Sequence, residues 1–344
     1  MKKIIFINIL ILFLLITFIE IIFGYWFKEN NFGFYMRTER NKNILYKTNH
    51  EKKKSEHHYI RNFYGFRGDE VDPSDIKVIF EGGSTGNQRF TPEKFTIVGL
   101  LNNYLKEDGV NLMIHNASTD GKSTRGINYD FLYWFPKIPD FKPKIFIFYI
   151  GINDIGQGAY GDDYKAASKL HKKLRDYIRN NSIIFILQQK FEDKYFVKTK
   201  AAYNITSIKK GLYDNYSFVN YQEAKKKFLS QEKSQNEKQM INFFNYKLEN
   251  LKNNIIKNKI IPIFITQIQF DGSSDKNLFL INEQTKNFAE KNNYYIIKLD
   301  EMIKGIGLNT FYDYVHTSLL GSRKIAKMIY PDLNKIIKKE LFDK

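Results

Sequence analysis

Residues 77–89, KVIFEGGSTGNQR, constrain this chain more than any other stretch. A short apolar run at 78–80 breaks abruptly into Gly82, Gly83, Ser84, Thr85 and Gly86. The run reads as a buried strand, and the glycines allow the tight backbone needed to pass from it straight into a helix. Such a turn lifts one side chain, here Ser84, above the edge of a sheet and sets it beside the free N–H groups of a helix start. A serine hydroxyl is a weak nucleophile at neutral pH. Chemistry at Ser84 therefore requires a base, a group that orients the base, and donors for a developing oxyanion. Turns also favour Gly and Ser for backbone reasons alone, so the partners decide the matter.

The same grammar recurs along the chain. A run at 112–114 breaks into HNASTDGKST, and IFIFYI at 145–150 breaks into Gly151, Ile152, Asn153 and Asp154. Two further strands are predicted at 260–266 and 294–299, with helices at 95–105, 233–258, 279–291 and 322–339. In the second of these helices Met240, Phe243, Phe244, Leu248, Leu251 and Ile255 fall on one stripe. Strands alternating with helices predict a three-layer α/β/α sandwich around a five-stranded, mostly parallel sheet. Such sheets bind ligands beyond the carboxyl ends of their strands, where the strand order reverses, and the loops carrying Ser84, Gly121 and Asn153 open onto that edge. Residues 153–260 are too many for one crossover. A helical insertion at about 160–250 is expected, either a lid over the site or a peripheral decoration.

The first 27 residues begin with Lys2 and Lys3 and continue as an apolar run from Ile4 to Phe23, interrupted only by Asn8, Thr17 and Glu20. About 20 such residues span a bilayer. Gly24, Tyr25, Trp26 and Phe27 follow, an aromatic belt rather than a small-residue cleavage site. The segment is read as an uncleaved transmembrane signal anchor, with a cleaved signal peptide as the alternative. The two leading lysines favour a cytoplasmic N-terminus, with the remainder outside, although Lys28 and Arg37 weaken the asymmetry. Residues 28–75 read as a polar lead-in, and 76–340 as the folded domain. Glu56, His57 and His58 are adjacent, which rarely lets side chains converge on one ion.

The chain has 344 residues and no cysteine, which excludes disulfides, thiolate metal sites and a cysteine nucleophile. Its net charge of +17 favours anionic neighbours. The lysines are scattered, however, and no nucleic-acid-binding signature accompanies them, so no nucleic acid is expected as a partner.

Near the C-terminus, Asp313 and His316 lie three residues apart, a spacing that lets both side chains point to one spot. The carboxylate would fix the imidazole tautomer while the other ring nitrogen takes the serine proton, unless the two form an ordinary structural pair. Together these segments resemble the SGNH (GDSL-type) hydrolase superfamily. The resemblance rests on Gly82-Gly83-Ser84-Thr85, Asn116-Ala117-Ser118-Thr119-Asp120-Gly121, Gly151-Ile152-Asn153-Asp154 and Asp313-Tyr314-Val315-His316, and covers about residues 62–331. Gly83 and Thr85 stand where the name-giving pattern has Asp and Leu.

The resemblance implies a flavodoxin-like sheet, Ser84 as nucleophile, His316 as general base and acid, and Asp313 as its orienting carboxylate. It implies an oxyanion hole from the backbone N–H groups of Ser84 and Gly121 and the side-chain amide of Asn153, with Asp154 bracing its loop. No metal or organic cofactor is implied. With the anchor, it predicts a membrane-bound, extracytoplasmic serine esterase of the bacterial envelope acting on O-acyl, especially O-acetyl, esters of a glycan. An O-acyltransferase, a lipid esterase or thioesterase, and a non-catalytic envelope scaffold are the alternatives.

Overall fold

The computed structural model describes residues 2–28, 39–50, 53–155, 170–202, 217–305 and 308–343. Helix α1 (Lys2–Phe23) has no buried residue and is long and apolar enough to cross a membrane. Strands β1 (Lys42–His50) and β2 (Lys53–Arg61) then pair as an antiparallel hairpin, in a stretch to which the sequence pattern assigns no element. There follow β3 (Val78–Gly82), α2 (Ser84–Asn87), α3 (Ile97–Glu107), β4 (Ile114–Asn116), α4 (Thr124–Tyr129) and β5 (Ile145–Tyr149). The described part of the insertion supplies α5 (Leu170–Asn181), α6 (Ile183–Tyr195), β6 (Lys198–Ala202), α7 (Tyr221–Leu229) and α8 (Gln235–Asn258). Residues 156–169 and 203–216 of that insertion lie outside the described residues. The chain closes with β7 (Ile261–Ile265), α9 (Lys276–Lys291), β8 (Tyr295–Ile297), α10 (Leu299–Met302) and α11 (Leu319–Leu341).

The main sheet has the order β4-β3-β5-β7-β8, with every neighbouring pair parallel. By position in the chain these five are the second, first, third, fourth and fifth strands, which is the flavodoxin-like order. The order reverses at β3, so the crevice of such a sheet falls at the carboxyl end of the strand that leads to Ser84. The expected three-layer α/β fold with its five-stranded parallel sheet is therefore present.

Alternation along each strand builds the two outer layers. Val78, Phe80, Ile145, Ile147, Ile263 and Ile265 point to one face and pack against α3 and α11. Ile79, Phe146, Phe148 and Phe264 point to the other, against α4, α8 and α9. All five residues of β3 and of β5 are buried, as expected for strands covered on both sides. A second sheet of order β2-β1-β6 joins the hairpin to the insertion, with β6 parallel to β1.

Helix α8 starts with a capping box between Ser234 and Glu237 and ends at Lys259 in the left-handed conformation, so its 24 residues are bounded at both ends by local chemistry. Its inward stripe carries Phe244, Leu248, Leu251 and Ile255 into the core, and Lys247 beside them.

Candidate active site

Ser84 follows Gly83, the N-cap of the four-residue helix α2. A side chain at Gly82 would meet the Tyr149 carbonyl at 2.7 Å, and one at Gly83 would meet Nδ2 of Asn153 at 1.9 Å. The glycine pair is thus required by close approach of the neighbouring strand and loop. Four residues after Ser84, Gln88 leaves the helix with φ +46 and sends its side chain back into the protein. There its amide donates to Thr317 (2.8 Å) and Ser322 (2.6 Å) and its carbonyl accepts from the Ile97 N–H (2.6 Å).

The structure brings Ser84, His316 and Asp313 together. His316 Nε2 lies 2.7 Å from Ser84 Oγ, and His316 Nδ1 lies 2.7 Å from Asp313 Oδ2. The other carboxylate oxygen accepts the backbone N–H groups of Val315 (2.9 Å) and His316 (2.7 Å). Burial alone would raise the Asp313 pKa, but the hydrogen bond from His316, its charge and these two N–H groups together hold it below its ordinary value. With an ionised carboxylate on Nδ1, that nitrogen carries the proton and Nε2 is left to accept one from the serine. Tyr312 stacks on the imidazole at 5.6 Å with the rings 8° from parallel. The loop is further tied down by the Phe270 N–H donating to the Tyr314 carbonyl (3.1 Å) and by Ser318, the N-cap of α11, donating to the Asn309 carbonyl (2.6 Å).

Asn153 lies against Gly83, the residue before Ser84, and Gly121 sits in the loop after β4, next to Lys122. Asn153 Nδ2 donates to the Lys122 carbonyl at 3.0 Å and lies against Gly83. Gly121 has φ +72, a conformation that favours glycine, and no heavy atom lies within 4 Å of where its side chain would be. Asp154 is buried and accepts from the Thr124 N–H (3.2 Å) and hydroxyl (2.9 Å), and it forms an ion pair with Lys247 of α8. Burial pushes its pKa up, and Lys247 acts against that rise.

Lys122, next to Gly121, is itself buried between two carboxylates, Glu81 at 3.2 Å and Asp130 at 2.5 Å. Its ammonium also donates to the Ala117 carbonyl (2.9 Å) and sits over the Trp134 ring. Burial pushes Glu81 up to about 8, with Lys122 acting in the opposite direction. Two carboxylates and one ammonium in a dry site are best satisfied when one carboxyl stays protonated.

Sequence reasoning missed several residues that hold these loops. Gln267, just past β7, donates to the Thr85 hydroxyl (2.9 Å) and Tyr149 carbonyl (3.2 Å) and accepts from the Ile152 N–H (2.6 Å), so it ties the Ser84 turn to the Asn153 loop. Arg61, at the end of β2, donates to the Ser118 carbonyl (2.5 Å), the Gly65 carbonyl (3.0 Å) and the Tyr59 hydroxyl (2.9 Å). Tyr59 in turn donates to Asn87 (3.1 Å), whose amide donates to Asp120 (2.6 Å). The guanidiniums of Arg61, Arg67 and Arg89 lie 5.8, 5.3 and 5.4 Å from the Tyr59 ring. The available signal was the out-of-place polarity of these residues within apolar surroundings. His57 and His58 point apart: His57 is buried with Nε2 3.2 Å from the Arg89 carbonyl, whereas His58 is exposed beside Asn43.

Fold and side chains together define an α/β protein with a Ser–His–Asp constellation at the switch point of a flavodoxin-like sheet. No family model and no curated protein matches the chain. Among solved structures, it is similar to a member of the lipolytic protein G-D-S-L family from Veillonella parvula, at 14% identity and a TM-score of 0.41, covering 76% of this chain and 99% of that one. It is also similar to an acetyl xylan esterase, AlAXEase (13%, TM-score 0.41, covering 75% and 100%), and to the psychrotrophic esterase EstA from Pseudoalteromonas (12%, TM-score 0.40, covering 77% and 100%). Resemblance this distant carries no weight for the chemistry, which is read from the side chains.

Proposed function

We propose that the protein is a serine esterase that removes O-acyl groups, O-acetyl above all, from a cell-envelope glycan through an acyl-Ser84 intermediate. The observation that carries this reading is the hydroxyl–imidazole–carboxylate chain, 2.7 Å at each step. His316 Nε2 takes the Ser84 proton as Oγ attacks the ester carbonyl, and Asp313 stabilises the imidazolium. The oxyanion is received by the N–H groups of Ser84 and Gly121 and by the Asn153 amide. Collapse breaks the ester C–O bond, and the imidazolium returns its proton to the departing sugar oxygen. Water, deprotonated by the same imidazole, then attacks the acyl carbon and releases the acid and free Ser84.

A half-buried rather than enclosed Ser84 supports a small acyl group on a bulky alcohol, because a polymer has to reach the serine from outside. Helix α1 supports a single-pass anchor, with Lys2 and Lys3 in the cytoplasm and residues after 28 outside, facing envelope polymers. A sugar hydroxyl that outcompetes water at the acyl-enzyme would make the same residues an acyltransferase.

The test uses the full chain in detergent with p-nitrophenyl acetate, followed by mass spectrometry of acetylated envelope glycans incubated with and without it. Burst release of nitrophenol and loss of acetyl mass, both abolished in Ser84→Ala, are expected. A Ser84→Ala protein as active as the parent removes the assignment. Acetyl mass gained by added glycan redirects it to transfer.

A further inference from the structure

We infer that the exposed face of α6 is a second membrane contact, docking the domain flat on the anionic surface of the bilayer that α1 enters. The geometry starts at Glu20, in the last turn of α1. Its carboxylate accepts the Ser182 hydroxyl (2.5 Å) and the N–H groups of Ile183 and Ile184 (3.2 Å each), so the side chain caps α6. The same carboxylate accepts Trp26 Nε1 (2.8 Å), and the Tyr25 N–H donates to the Asn181 carbonyl (2.8 Å). Trp26 also sets its ring edge-on to Tyr177 of α5. The N-terminus of α6 is therefore fastened at the point where the apolar span gives way to interfacial aromatic residues.

From there α6 presents Ile184, Leu187, Phe191 and Tyr195 at helical spacing, and they are 37, 56, 57 and 59% exposed. Positions 0, 3, 7 and 11 of an α-helix fall within one narrow stripe, well away from Ile186, which faces the protein and is 3% exposed. Exposed Lys190 and Lys194 line one edge of that stripe, Gln188 and Glu192 line the other, and Lys198 and Lys200 continue beyond it on β6. An apolar stripe with lysines along one edge suits a helix lying in the headgroup plane, with the ammonium groups reaching back to phosphates. A cleft of about 1040 Å³ along the same helix has Phe185, Phe191 and Phe196 in its wall, and its lining carries five Lys or Arg side chains against three carboxylates. That excess selects an anionic surface. Continuity with the span selects a bilayer over a protein as the occupant.

The absence of cysteine from the chain makes single labels unambiguous. The full chain, carrying an environment-sensitive fluorophore on Leu187→Cys or Phe191→Cys, is placed in nanodiscs of phosphatidylglycerol and phosphatidylcholine. Labels at Leu12→Cys in α1 and Lys226→Cys on α7 mark lipid and water. The labels on α6 should be blue-shifted and quenched by lipid-borne nitroxides nearly as strongly as that at Leu12. The one at Lys226 should respond only to aqueous iodide. Lys190→Glu combined with Lys194→Glu should weaken the lipid quenching at Leu187, and so should discs of phosphatidylcholine alone. Labels on α6 that behave like Lys226, with Leu12 quenched, overturn the docking and leave the anchor standing. Labels shielded from iodide but untouched by lipid nitroxides assign the stripe to a protein and also overturn it. An unquenched Leu12 label removes the span and the docking together.

Discussion

Replacing Gly83 by alanine adds one methyl group whose ideal position lies 1.9 Å from Asn153 Nδ2. Ordinary contact begins at 3.4 Å, so the carboxamide has to retreat by about 1.5 Å, or the Ser84 turn has to shift as far. The Lys122 carbonyl, 3.1 Å from the same methyl, blocks one direction of escape. Gly83 has φ −88, so alanine incurs no left-handed strain and the effect is one of contact. Losing one oxyanion donor costs about 100- to 1000-fold in kcat, or ~2.7–4 kcal/mol of transition-state stabilisation. Misplacing a catalytic group by about 1 Å costs on the order of 100-fold. Gly83→Ala should therefore lower kcat on p-nitrophenyl acetate by about 100-fold or more with a smaller change in KM, since the donor engages charge that develops after binding. Asn153→Ala should match it. Because both substitutions remove the same donor, the double variant should lose little more than the worse single one. A Gly83→Ala enzyme of unchanged kcat, or losses that multiply in the double variant, would refute Asn153 as an oxyanion donor.

Three further outcomes follow from the charges beneath the site. Lys247→Met strands the buried Asp154 carboxylate, so urea unfolding should show a loss of about 3–5 kcal/mol; a loss below about 1 kcal/mol would mean that the pair does not brace the Asn153 loop. Glu81, with a folded pKa of about 8 against 4.5 when free, holds a proton in the native state that the unfolded chain has released, so stability should fall as pH rises through that window. Glu81→Gln cannot release that proton and should flatten the decline of the urea midpoint; an unaltered slope contradicts the assignment. Asp313 has the opposite sign: its lowered pKa gives stability that is complete above the ordinary value of 3.8 and lost as pH falls through the folded one. Asp313→Asn should abolish that acid-side loss and reduce kcat by about 10,000-fold by favouring the wrong imidazole tautomer. Wild-type kcat in that variant would make the Asp313–His316 contact merely structural.

The sheet was legible in the sequence because its strands are buried on both faces. VIF at 78–80 and IFIFY at 145–149 have to be apolar throughout, and each ends where glycine permits a turn. The loop residues Ser84, Asn153, Asp313 and His316 were legible for the complementary reason: polar side chains of uncommon type sit directly after such runs or at one-turn spacing. The end points were less so. The second strand, expected at 112–114, lies at Ile114–Asn116, with His115 and Asn116 buried. A polar residue inside a sheet looks like a loop until its partners are known, and Asn116 is paired, donating to the Gly86 carbonyl (2.9 Å) and accepting from the Ser118 N–H (2.9 Å).

The same blindness hid the hairpin at residues 42–61. Its inward positions include Tyr59, His57 and Arg61, so the alternation of a half-buried strand is written partly in polar letters and no apolar period survives. Those letters are there for the site. Arg61 holds the Ser118 carbonyl, and Tyr59 reaches Asn87 at the end of the helix that begins with Ser84. Asn87 and Arg89 then grip Asp120 beside Gly121, the ion pair between Arg89 and Asp120 measuring 2.6 Å. A guanidinium left without these acceptors would be an uncompensated buried charge, so the hairpin and the loop carrying Gly121 stabilise each other. Residues 42–61 are therefore part of what holds the Ser84 turn and the loop carrying Gly121 in register, and a chain shortened to start at the first strand of the main sheet would lose that support along with the apolar helix α1.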